Sequence, residues 1–255
     1  MTLISNFPNI MISEDEWDNF ENFLELKGVQ RYKKVEAALI GKIEKITYLQ
    51  LSHHYRYDVK LRRKLYMCFS LLEVALKAYI SNRYHIENLN EENFERKMNE
   101  SLKNNGKIFK LSEIEKKKNE IIFSDAKVNT LFDYLENCDM SQLNKIVLHL
   151  SNTELKTLFP NYSRLKENLN AARFLRNLVF HHILLLNTKL KQVYLGEMMS
   201  NGLKANILNV VQLIPERARK NITNEINACL IIDETIADRS LSNQYKLLDE
   251  YRIEL

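Results

Sequence analysis

Glycine and proline are scarce in this sequence, with five glycines and three prolines among 255 residues. Hairpins and β-sandwiches need these residues in their turns, whereas helices joined by short connections do not. A chain that is 45% hydrophobic and 27% charged can still bury a core. The scarcity of turn residues therefore predicts an all-α fold.

Apolar residues recur at three- and four-residue spacing, which is typical of amphipathic helices. A capping-box pattern at Ser13 and Glu16 predicts a first helix that ends at Gly28. A second helix is predicted over about 31–51. In the next helix one apolar stripe indicates a core position, and its members are Leu61, Leu65, Cys68, Leu72, Leu76 and Tyr79.

The segment from about residue 88 to about 120 is strongly polar. We interpret it as a solvated helical insertion with a loop at Asn104–Gly106, in preference to a dedicated RNA-binding arm. Shorter helices are predicted at roughly 125–137 and 141–158, before Pro160 interrupts the pattern.

A long helix is predicted over about 163–189, followed by two or three more. The sequence shows neither an internal repeat nor a low-complexity linker. We therefore expect one helical domain over residues 1–195, with residues 196–255 as a C-terminal helical extension packed on it.

The net charge of +4 favours a polyanionic partner only weakly. Cys68, Cys138 and Cys229 lie in apolar patterns without metal-site spacing, so they are expected to be reduced core residues, and no metal or cofactor is expected. The N-terminal segment lacks a secretory pattern, and no run is apolar enough for a membrane helix. These features favour a soluble, cytoplasmic protein without a membrane partner.

The stretch "RFLRNLVFHHILLLN", residues 173–187, places arginines, an asparagine and two histidines inside an apolar run. If it is one helix, His182 falls in the core stripe and is interpreted as a core histidine. Phe180 and Leu184 then lie on the opposite face, which predicts that a second surface covers them. His181 also lies there, one turn after Asn177, and is the better acid or base.

Part of this stretch, "LRNLVFHHILLLN", resembles the Arg-Asn-x-x-x-His-His signature of the Abi-like (AbiD/AbiF) abortive-infection proteins of bacteria. That signature is a form of the Arg-x4–6-His motif of the HEPN superfamily. Arg176 and His181 stand in the defining positions, and Asn177 follows the arginine. Phe180 stands where the family commonly has a small residue.

A second resemblance lies upstream, in "YRYDVKLRRKLYMCFSLLEVALKAYI". It is similar to an earlier helix of the same family, in which Tyr-x-x-Asp-x-x-Leu-Arg leads into a glutamate. The matching residues here are Tyr55, Asp58, Leu61, Arg62 and Glu73. The two motifs have the family's order and separation, and the resemblance covers roughly residues 30 to 190.

The resemblance implies a HEPN-type helical bundle with additional N- and C-terminal helices. It also implies a metal-independent endoribonuclease of an anti-phage system, in which Arg176, His181 and Asn177 are catalytic and His182 and Glu73 support them. With one motif per chain, a homodimer would assemble the site. RNA is the implied substrate, and some relatives are thought to hold a small structured RNA.

Several alternatives stay open at this stage. Lys60, Arg62 and Arg63, together with Arg173, are candidate RNA-binding residues, although such a basic cluster is often only a solvated face. Glu73 either supports the site or pairs with Lys77 along its own helix. The whole chain could instead be a non-catalytic HEPN scaffold that binds RNA or a partner, or a helical interaction protein with a chance motif.

Overall fold

The computed structural model describes residues 3–42, 44–102, 107–114, 127–160, 162, 164–230 and 246–254. Within these ranges helices dominate and the strands form only two-stranded pairs, so the predicted all-α class is confirmed. The helices are α1 (Trp17–Lys27), α2 (Val29–Leu39), α3 (Tyr48–Arg83), α4 (Glu91–Leu102), α5 (Leu111–Ile114), α6 (Leu131–Asn137), α7 (Met140–Val147), α8 (Asn152–Leu158), α9 (Leu165–Phe180), α10 (Leu203–Leu213), α11 (Glu216–Ala228) and α12 (Lys246–Asp249).

The strands form two short pairs, each next to the start of a helix, and do not form a separate layer. β1 (Ile10–Met11) pairs in parallel with β2 (Ile46–Thr47), directly before α3 begins. β3 (Val193–Leu195) and β4 (Met198–Ser200) form an antiparallel hairpin before α10. None of the described helices is both long and apolar enough to cross a bilayer.

Helix α3 is the axis around which the other helices pack. It is 36 residues long, and a capping box of Thr47 and Gln50 starts it. Its apolar stripe is buried as predicted, with Tyr79 half-buried at its end. The same buried cluster includes residues of α1, α9, α10 and α11, among them Phe20, Leu175, Val210 and Ile226. Because α3 contacts most of the other helices, residues exposed along α3 lie next to several different elements.

Some predicted helix boundaries were wrong. The second helix ends at Leu39 rather than near residue 51, so α3 begins earlier than expected. The predicted helix over 141–158 is two helices, because Asp139 and Ser151 each cap a separate start. The polar segment after residue 88 contributes buried Phe94, Met98 and Phe109 to the core. Its predicted loop at Asn104–Gly106 and residues 115–120 lie outside the described residues.

The most consequential error concerns the end of α9, which stops at Phe180 and not near residue 189. His182 has φ 54°, and two backbone hydrogen bonds close the end: His182 N to Val179 O at 3.1 Å and Ile183 N to Leu178 O at 2.9 Å. This is the Schellman arrangement of a helix C-terminus. Residues beyond it are not helical, so the helical-wheel positions predicted for them do not apply.

The positive φ at His182 generates a stability prediction. Side chains with a Cβ are strained in this region, and β-branched residues most of all. We expect His182→Val to lower the free energy of unfolding by about 1–2 kcal/mol relative to His182→Gly, measured by urea denaturation. His181 has φ −86°, so His181→Val and His181→Gly form the matched control pair. A valine at position 182 as stable as glycine would contradict the strained turn.

Candidate functional site

The four motif residues lie at the C-terminal end of α9 and in the turn that follows. Asn177, His181 and His182 are exposed, and Arg176 is half-buried. The expectation that His182 is a core histidine was therefore wrong, because the helix ends before it and the turn carries its side chain outward. We refer to His181 and His182 as the histidine turn.

Arg176 is held in place within its own chain. Its Nε lies 3.3 Å from Oε1 of Glu73 on α3, and its guanidinium lies 3.9 Å from the centre of the Phe180 ring. Lys77, the alternative partner of Glu73, donates instead to the carbonyl oxygen of Glu136. Arg176 on α9, and not Lys77 on its own helix, is therefore the ion-pair partner of Glu73.

Phe180 is also covered by its own chain. Its ring stacks on Tyr66 of α3, with centroids 4.4 Å apart and planes 24° apart. Leu184 is 4% exposed, because it follows the turn into the core. The prediction that Phe180 and Leu184 share a second helix face covered by another surface was therefore wrong, because their own chain covers both, and these two side chains give no support to a dimer.

A groove lies beside the histidine turn, between α1, α2 and α3. Its volume is about 690 Å³, and His182 and Val179 close one side of it. Six lysines and arginines line it and, among its lining residues, none is acidic: Lys27, Arg31, Arg56, Lys60, Arg62 and Arg63. The aromatic residues of the lining are Phe23, Tyr32, Tyr55 and Tyr66. We call this the basic groove.

The predicted RNA-binding residues fall into two groups. Lys60, Arg62 and Arg63 line the basic groove, as a phosphate-binding role requires. Arg173 does not; its Nη1 donates to the Ser141 hydroxyl at 3.3 Å. The catalytic candidates Arg176, Asn177 and His181 lie outside the lining, and Tyr66 joins their position to the groove through Phe180.

Sequence reasoning missed three cations of the groove. Arg56 stands four residues before Lys60 and seven before Arg63, so helical spacing alone could have placed it on their face. Lys27 and Arg31 come from α1 and α2. Only the packing of those helices against α3 brings them to the groove, and no local pattern signals it.

A buried ion pair connects the groove to the histidine turn. Asp58 is fully buried, and its Oδ2 accepts a 2.7 Å hydrogen bond from Nε of Arg62. Its Oδ1 accepts from the backbone N–H groups of Leu185 and Leu186, at 2.7 and 3.2 Å. Burial raises the pKa of Asp58, and Arg62 and the two backbone donors oppose that rise. Asp58 thus fixes both a groove cation and the chain after the turn.

Two other histidines are less accessible than the histidine turn. His53 and His54 are buried in α3. Burial, followed by the positive charge of Arg56, lowers the pKa of His53 to about 4, and burial also lowers the pKa of His54. Both imidazoles are therefore mainly neutral near pH 7.

The described residues contain no group of three or more histidine, cysteine or acidic side chains that could hold a metal ion. The three cysteines are free and buried, as their apolar patterns predicted. The sequence matches no protein-family model, no curated protein and no solved structure. The chemistry of the site must therefore be argued from its own residues.

The buried pair generates a second prediction. Asp58→Ala leaves the Arg62 guanidinium unpaired and two buried N–H groups without an acceptor, so we expect a loss of about 3–5 kcal/mol in the free energy of unfolding. The matched control is Asp249→Ala, which breaks the exposed 3.1 Å pair with Arg252 and should cost at most about 1 kcal/mol. Equal losses in urea denaturation would show that Asp58 does not hold the turn.

Proposed function

We propose that this chain is a metal-independent endoribonuclease of the HEPN type that acts in bacterial anti-phage abortive infection. One observation carries the proposal: the exposed histidine turn places His182 in the wall of a basic groove that has no carboxylate among its lining residues, and His181 directly precedes it. An acid, a base and fixed positive charge are what RNA cleavage without a metal requires. The abortive-infection setting, in the bacterial cytoplasm, rests on the family resemblance of the two sequence motifs.

The reaction uses the nucleophile that RNA itself carries. A base takes the proton of a 2′-hydroxyl, the 2′-oxygen attacks the adjacent phosphorus, and the bond to the 5′-oxygen breaks as an acid protonates that oxygen. The products are a 2′,3′-cyclic phosphate and a 5′-hydroxyl. Arginine complements the charge of the phosphorane because its guanidinium is always protonated and matches phosphate oxygens.

In this proposal the motif residues carry out the chemistry and the groove residues bind the RNA. His181 acts as acid or base, and Arg176 stabilises the phosphorane, with Asn177 orienting the histidine or binding a phosphate oxygen. His182 supports them from the wall of the basic groove. The groove cations hold the flanking phosphates, so binding weakens as salt concentration rises. A small structured RNA that stays bound would use the same cations.

A homodimer would bring two copies of the motif together. The support for it comes from α3 instead of α9: Met67, Ser70, Val74 and Ala78 are exposed at three- and four-residue spacing on one face. Val74 is 61% exposed and adjoins Glu73, the partner of Arg176. Pairing two α3 helices along this stripe would cover its apolar side chains and bring both arginines to the interface.

A second candidate function is a non-catalytic RNA-binding scaffold. The observation in its favour is that Arg176 lies outside the groove lining and is already occupied by Glu73 and Phe180. In that case the groove would bind RNA and the histidine turn would only position it. Cleavage assays separate the two functions.

For the nuclease, we expect His181→Ala or Arg176→Ala to reduce cleavage by about 10²- to 10⁴-fold. His182 should be replaced by asparagine, which tolerates positive φ and carries no titratable group, so that a loss of activity reports chemistry and not strain. The rate of the parent protein should persist in excess EDTA, with products ending in 2′,3′-cyclic phosphate. Activity within a few-fold of the parent in the His181/Arg176 double variant would favour the scaffold.

For the dimer, we expect light scattering at micromolar concentration to give twice the chain mass. Val74→Asp places like charges opposite each other across the two-fold axis and should yield monomers with an unchanged melting temperature. Met199→Asp is the matched control, since Met199 is 62% exposed on the β3–β4 hairpin, away from α3. A parent that stays monomeric with and without RNA would contradict the shared site.

A further inference from the structure

We propose that Tyr66 is a stacking platform for one unpaired base, so that the RNA bound in the basic groove is single-stranded next to the histidine turn. This inference rests on the proposed RNA-binding function and goes beyond it by naming the substrate class and the residue that selects it. It starts from the unequal exposure of the aromatic residues that line the groove.

Tyr66 is the lining aromatic that is open to solvent. Its side chain is 52% exposed, whereas Tyr32 and Tyr55 are buried and Phe23 is half-buried. An exposed tyrosine in a basic groove combines the two elements of single-strand recognition, which are cations for the phosphates and a π-face for a base.

Tyr66 is also fixed in position. Arg176 lies over the Phe180 ring at 3.9 Å, and Tyr66 stacks on that ring at 4.4 Å. The Phe180 ring therefore contacts Arg176 and Tyr66 at the same time. Arg176, Phe180 and Tyr66 thus form a column that begins at the Glu73 ion pair and ends at the outer face of Tyr66. A ring held in this way needs little ordering when a base stacks on it.

The neighbours of Tyr66 provide the matching phosphate contacts. Arg62 and Arg63 precede it by four and three residues on α3 and therefore lie one helical turn away. Phe180, on which Tyr66 stacks, directly precedes His181. Arg62 is buried and paired with Asp58, whereas Arg63 is exposed. A nucleotide with its phosphate at Arg63 and its base on Tyr66 would lie close to the histidine turn.

The interior of a continuous duplex cannot use this platform, because both faces of each base between the terminal pairs are already stacked inside the helix. The column therefore selects unpaired RNA, whereas the groove cations alone bind any polyanion. It follows that a change at Tyr66 should alter the preference for single strands, and a change at a groove cation should weaken both forms together.

The test measures binding of 2′-O-methyl RNA, which cannot be cleaved, as a single strand and as a blunt duplex of the same length. We expect Tyr66→Leu to weaken single-strand binding by at least about fivefold with duplex binding unchanged, and Tyr66→Phe to retain it. Phe132→Leu is the matched control, because Phe132 is 54% exposed on α6, outside the groove. Arg63→Ala should weaken both RNA forms.

A fluorescence measurement covers the case in which Tyr66→Leu disturbs folding. The indole introduced by Tyr66→Trp, in a Trp17→Phe background, should be quenched by the single strand and not by the duplex. Three results would each overturn the platform while leaving RNA binding intact. They are equal single-strand binding by Tyr66→Leu and Tyr66→Phe, no selective quenching of the indole, and a change in the oligomeric mass of Tyr66→Leu. A parent that binds neither RNA form would overturn the proposed function as well.

Discussion

The Asp58 carboxylate is the contact on which the arrangement of the site depends. It is fully buried in α3, yet one oxygen accepts two N–H groups from the chain after α9 and the other binds Arg62. Because Leu185 and Leu186 have this acceptor, their N–H groups do not need a helix to satisfy them. The chain can leave α9 at Phe180, turn outward at the histidines and return to the core.

This single interaction explains why the sequence predicted the body of the protein better than its site. Helix starts are local, so the capping box at Ser13 and the apolar stripe of α3 were predicted from spacing, whereas the equally local capping box at Thr47 was missed. The end of α9 is not local, since Asp58 captures residues more than a hundred positions away. Periodicity continues through "HHILLLN" and therefore predicted a helix where the structure has a turn.

The error affects each residue that was assigned to the predicted helix beyond Phe180. His182 lies in the wall of the groove instead of in the core, and Leu184 lies in the core of its own chain instead of on a face covered by a second surface. Arg176 and Glu73, which lie before the turn, form an ion pair that spacing along one helix did not predict. The sequence predicted one wall of the basic groove, which contains Lys60, Arg62 and Arg63. It did not predict the other wall, because that wall forms only when α1 and α2 pack against α3.

The outward face of α3 changes character along its length. Its N-terminal half presents Arg56, Lys60 and Arg63 to the groove, and its C-terminal half presents the apolar side chains of Met67 and Val74. The Tyr66–Phe180 stack lies where the two halves meet, next to the histidine turn. One helix thus combines a basic surface with an exposed apolar stripe, and the histidine turn lies between them.

The most direct test of this account is photo-crosslinking of a thiouridine-containing 2′-O-methyl RNA, with the crosslinked peptides identified by mass spectrometry. If the groove and the histidine turn form one RNA site, crosslinks should fall on residues 56–66 of α3 and on the peptide that contains His181 and His182. Crosslinks confined to other surfaces, such as α4 or the β3–β4 hairpin, would contradict it.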